Sequence, residues 1–167
     1  MTKRNKVTKE SVPEGFTLSL AAVDAVPVVF FGINCFIIGM KFQSVLFMAG
    51  ALMCLFGGSC KVIWKIIVSV CSKNIYPLFL QMRIWMPAGF LLMVISVLSR
   101  GTSVFSGLMH SICSFPSALF FAAGAAGMIL MGVFAVKLDN ADVKSNWIEQ
   151  ITNGLSQIAV FAGLMFL

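Results

Sequence analysis

Apolar residues run almost unbroken from Phe16 to Met40, Ser44 to Val70, Leu78 to Leu98, Ser117 to Val136 and Trp147 to Leu167. The first run is 25 residues and the second 27, whereas a helix crosses the bilayer hydrocarbon with about 20. The pattern predicts an all-α fold, a polytopic membrane protein of five transmembrane helices. At 1.5 Å per residue the second run is about 40 Å long, so it tilts or its last turns emerge. Pro87 removes a backbone donor inside the third run and bends it. Between the third and fourth runs, "RGTSVFSGLMHSICSFP" is rich in Gly, Ser and Thr, has weak periodicity, and reads as a loop. "KLDNADVKSN" is a mixed-charge connector, and residues 1–15 form a basic polar tail before a single membrane domain at 16–167.

The last run has its own pattern. In "NWIEQITNGLSQIAVFAGLMFL" the residues Asn146, Glu149, Gln150, Asn153, Ser156 and Gln157 recur at three and four, which stacks them on one face. A helix lying flat in the interface is the alternative. It leaves only Ile158–Leu167, about 15 Å, to cross the bilayer, so the polar half has to span as well.

Composition agrees with the pattern. The chain is 59% apolar and 11% charged, against about a quarter charged in soluble domains. A cleaved signal peptide is disfavoured at the start. Its apolar stretch is about 7 to 15 residues, and this run is longer and contains Asp24.

Charge sets the expected orientation, because cationic loops stay cytoplasmic. With the N-terminus inside and the C-terminus outside, Lys3, Arg4, Lys6, Lys9, Lys61, Lys65, Lys73, Arg83, Lys137 and Lys144 lie at the inner side, and only Lys41 and Arg100 outside. Trp64, Trp85, Trp147 and Tyr76 fall at the same inner boundary, where amphipathic rings sit. The expected location is integral to the plasma membrane.

Asp24 is a carboxylate inside a membrane run, eight residues or about 12 Å from Phe16. On the antiparallel second run, Lys61 and Lys65 lie about 14 and 8 Å from Val70 and share a face at i, i+4. Those depths bracket Asp24. Snorkelling to lipid phosphates is the competing reading for the lysines, but Asp24 is too short for it and is expected to pair with one of them. Arg83 lies at a similar level. Asn34, Glu149, Asn153 and Gln157 complete the candidates for a polar cavity or ion-pair network near the cytoplasmic leaflet.

Helix packing is expected where small residues recur at four: Gly50, Cys54 and Gly58 in the second run, and Ala123, Gly124 and Gly127 in the fourth. The five cysteines form no CxxC, and His110 has only Cys113 nearby, so neither a metal site nor a disulfide framework is expected. No cofactor motif or Ser/His/Asp set is assembled, and no catalytic activity or nucleic-acid partner is expected. The basic tail suits anionic lipid head groups. Two functions remain: transport or channel passage of an ion or small polar solute, and, as the alternative, an accessory or regulatory membrane subunit acting through helix contacts. A homo-oligomer, if formed, is expected to be parallel, since the charge bias forbids opposite insertion.

Overall fold

The computed structural model describes Val12, residues 15–139 and residues 141–167. The described residues form helices and no strands: α1 (Leu18–Phe42), α2 (Val45–Cys71), α3 (Tyr76–Leu98), α4 (Thr102–Ile112), α5 (Ser117–Lys137) and α6 (Val143–Met165). The basic tail residues Lys3, Arg4, Lys6 and Lys9 lie outside the described residues.

Local chemistry sets the boundaries. Thr17 accepts from the Leu20 N–H, Ser44 from Phe47 and Asp142 from Ser145, each satisfying an orphan donor of a first turn. Gln43 and Ser72 close α1 and α2 in the left-handed conformation, at φ 46° and 51°, so the chain reverses at once. α3 starts at Tyr76 with Pro77 in its first turn, where a missing N–H costs nothing. The segment expected as a loop at 100–116 contains α4. Its Ser, Thr and Gly residues hide the helical period in the sequence, and Gly101, at φ 84°, makes the reversal before it.

Among the described residues four helices, α1, α2, α3 and α5, are long and apolar enough to cross a membrane. α6 is 23 residues, long enough, but too polar along its first half to stand with those four. Its polar face, Asn146, Glu149, Gln150, Ser156 and Gln157, is buried, while Ile148, Ile151, Leu155 and Ile158 are exposed. Large apolar side chains are exposed on every long helix, among them Phe36, Leu52, Ile84 and Ile129. Such a continuous apolar exterior belongs in lipid, and the chain is membrane-integral.

The long helices stand in a row, α3–α2–α1–α6–α5, each with a substantial interface only to its neighbours in that order. α2 and α3 run antiparallel, joined at one end by the Ser44–Ser96 hydroxyl contact of 2.6 Å and about two turns further in by Gly50 against Gly89. A Cβ on either glycine would sit 2.5 Å from the other's carbonyl oxygen. α5 meets α6 through Gly124 and Gly127, against Val160 and Ser156. Ala123, expected in that contact, is exposed: at 100° per residue it lies at the edge of the face that Gly124 and Gly127 share rather than at its centre.

Two apolar clusters fill the ends. Phe16, Leu20, Trp64, Val68 and Phe79, with Trp147 against them, close the end where the chain begins. Cys35, Phe47, Ala51, Cys54 and Met93 fill the other. Trp64, expected at the lipid boundary, is instead 1% exposed. Its ring lies edge-on to Phe16, and its Nε1 donates to Asn74 Oδ1 at 3.0 Å.

Candidate functional site

Above the Phe16–Trp64–Phe79 cluster sits a group of buried charges. α1 places Asp24 two turns past its Thr17 cap, and α2 presents Lys61 and Lys65 on one face opposite it. Lys65 Nζ is 3.1 Å from Asp24 Oδ2, and Lys61 Nζ is 3.7 Å from Oδ1. Lys65 lies off the angle of a hydrogen bond, so its contact is an ion pair. The two lysines differ in exposure: the Lys65 side chain is 1% exposed and that of Lys61 23%. Lys65 does not snorkel. Its ammonium sits 5.9 Å from the centroid of the Phe16 ring, within cation–π range.

α6 adds a second carboxylate, Glu149, which is buried and within electrostatic reach of Lys65. Asp24 and Glu149 together balance Lys61 and Lys65, so the group is formally neutral. A buried ion is tolerable in lipid only on such terms. Arg83 is not brought in. It is exposed on α3, with its guanidinium 5.3 Å from the Phe79 ring.

One turn further along each helix lies a cavity of about 380 Å³ bounded by all five long helices. α1 gives it Pro27, Val28 and Phe31; α2 gives Cys54 and Gly58; α3 gives Met86, Pro87 and Phe90. Met128 of α5 and the amides Asn153 and Gln157 of α6 complete the wall. The two prolines in helix interiors, Pro27 and Pro87, line it. Each breaks one turn of backbone bonding, which allows the two helices to diverge around a hollow. The sequence-predicted charges Asp24, Lys61, Lys65, Arg83 and Glu149 are not part of the wall; they form its floor or lie elsewhere. The wall is therefore apolar except for two amides.

Gln157 is positioned from α1. Asn34, buried, donates through Nδ2 to the Gln157 backbone oxygen at 3.0 Å and to Gln157 Oε1 at 3.2 Å. That fixes the Gln157 side chain with its oxygen occupied and its NH2 group left to the cavity. Ser156, on the adjacent face, donates to the Thr152 carbonyl and packs on Gly127. Gly58 both lines the cavity and touches Val28.

Several of these residues carry no distinguishing mark in the sequence. Pro27 reads as one more membrane-helix proline, and Gly89 gains meaning only opposite Gly50. The aromatic cluster had a signal, since Phe16, Trp64 and Phe79 each fall near the same helix ends. Among the described residues no group of three His, Cys, Asp or Glu is placed to hold a metal; His110 and Cys113 are exposed at the end of α4. No protein-family model, curated protein or solved structure matches this chain.

Proposed function

We propose that the chain is a five-span plasma-membrane protein, N-terminus in the cytoplasm and C-terminus outside, that transports a small solute by way of the five-helix cavity. The observation that carries this reading is the cavity itself, bounded by every long helix rather than by one pair. A hollow of this size is at the lower end of ligand sites, about 300 to 1,000 Å³. The fifth span is α6, whose exposed isoleucines face lipid while its polar stripe faces the bundle. Orientation rests on the Lys and Arg bias of the connectors. The charge group holds α1, α2 and α6 together beneath the cavity and has no catalytic part.

A second reading is favoured by the mutual neutralisation of Asp24, Lys61, Lys65 and Glu149: an accessory subunit whose buried charges serve only its own packing. One experiment separates the two. Purified protein is screened by thermal shift against small solutes and inorganic ions, since a ligand that binds only the folded state raises the melting point. Solutes that shift it are then tested for uptake into proteoliposomes. Uptake above empty vesicles, blocked by Met128→Trp, is the expected result. A folded, inserted protein that no solute stabilises and that moves none leaves the accessory reading.

A further inference from the structure

The cavity's position restricts what can occupy it. α3 and α5 stand at the two ends of the helix row and share no substantial interface, so the hollow opens sideways between them. The residues at that mouth, Met86 and Phe90 on one side and Met128 on the other, line the cavity and are themselves exposed. They lie near the middle of their helices, Met86 ten residues after Tyr76 and Met128 eleven after Ser117. That is about 15 Å from either end, at the depth of the hydrocarbon and not of water. From below, the aromatic cluster and the neutral charge group close the way.

At the inner wall waits a polar group with nothing to bind. Gln157 is 8% exposed, its oxygen is taken by Asn34, and its Nε2 has no hydrogen-bond partner among the described residues. Asn153, one turn earlier, has no side-chain partner there either. Gln157 lines the cavity and its Nε2 is not sealed off inside the protein, so an oxygen brought by a ligand can reach this donor and accept from it.

We infer that the cavity binds a neutral amphiphile from the bilayer, an apolar body held by Phe31, Phe90 and Met128 with one hydroxyl or carbonyl oxygen accepting from Gln157. This rests on the cavity's being the working site, and it names the class of solute. A charged or strongly polar molecule would have to pass the hydrocarbon mouth and then meet a wall of methionine and phenylalanine.

The test uses the full chain in lipid nanodiscs and two photoreactive probes, decan-1-ol and decane, each with a mid-chain diazirine. Labelled residues are located by peptide mass spectrometry. The alcohol is expected to label 27–31, 86–90 and 128 above the outer helix faces. Loss of one hydrogen bond, in Gln157→Leu, should lower that labelling about five-fold and leave labelling by the decane probe unchanged. Because Gln157→Leu also loses the Asn34 contact and can misfold, Asn153→Leu and the mouth-filling Met128→Trp are measured alongside. Alcohol labelling spread evenly over the lipid face, or indifferent to all three changes, overturns the inference. The outcome is separable from transport. A labelled cavity in a protein that moves nothing upholds the ligand class and sinks the transport reading; ion or sugar flux with an unlabelled cavity does the reverse.

Discussion

Asp24 has two ammonium neighbours, and they are not equivalent. Lys65 is nearly inaccessible and 3.1 Å away, whereas Lys61 is partly exposed at 3.7 Å. Removing one side of a buried pair typically costs about 3 to 5 kcal/mol, and removing both can be nearly neutral. Asp24→Asn should therefore lower the melting temperature in detergent markedly, and Asp24→Asn with Lys65→Met should recover most of it, since the partly exposed Lys61 can reach out of the site. The same double change built with Lys61→Met should recover less; equal recovery would show that the lysines share the load. Asp142 permits a prediction in pH. The Ser145 N–H holds its carboxyl below the ordinary value of 3.8, so the ionised form favours the fold. That contribution is present above the unfolded value and lost as pH falls through the folded one. Melting curves from about pH 6 to 3 should show wild type losing ground to Asp142→Asn, which keeps the cap without the charge, only at the acid end. The level of Asp24 against the two lysines was legible by counting residues from the helix ends, because rise per residue is fixed. Which lysine is sealed was not, since that depends on Phe16, before α1, arriving over Lys65.

Glycines separate the helix contacts by what stands opposite them. A Cβ at Gly89 would meet the Gly50 carbonyl oxygen at 2.5 Å, and backbone cannot step aside as a side-chain tip can. Gly89→Ala should destabilise α2–α3 packing by about 1 to 3 kcal/mol, the range for overpacking. At Gly132 a Cβ meets nothing within 4 Å, so Gly132→Ala should be neutral or stabilising by up to about 1 kcal/mol. Thermal unfolding of the pair in one detergent checks both, and a Gly89→Ala protein as stable as wild type would remove the close α2–α3 approach. The long helices were legible because lipid demands uninterrupted apolar runs. α4 was not, because eleven residues carry too few turns for a period to emerge from Ser, Thr and Gly. In α6 the polar stripe could be read directly, but not that it lies between α1 and α5.

At the scale of the molecule, two native cysteines report on orientation. Cys71 ends α2 at the same end of the bundle as Thr17, Cys113 lies at the α4–α5 turn at the other end, and both are exposed; Cys35, Cys54 and Cys60 are buried. A membrane-impermeant maleimide on intact cells should label Cys113 and reach Cys71 only after permeabilisation. The opposite pattern would invert the proposed topology. Sequence alone does not order helices in space, and the row α3–α2–α1–α6–α5 follows from which faces complement one another rather than from chain order. That row has a bearing on synthesis. α1 and α2 are consecutive, so Asp24 can meet Lys61 and Lys65 within a single hairpin as it leaves the ribosome, and those spans can partition into lipid as a neutralised unit. α6 is made after α1 and α5, and its Glu149 and amides have no apolar refuge of their own. It has to wait at the translocon for a groove already walled by α1 and α5, so that the emerging bundle itself serves as the acceptor for its most hydrophilic span.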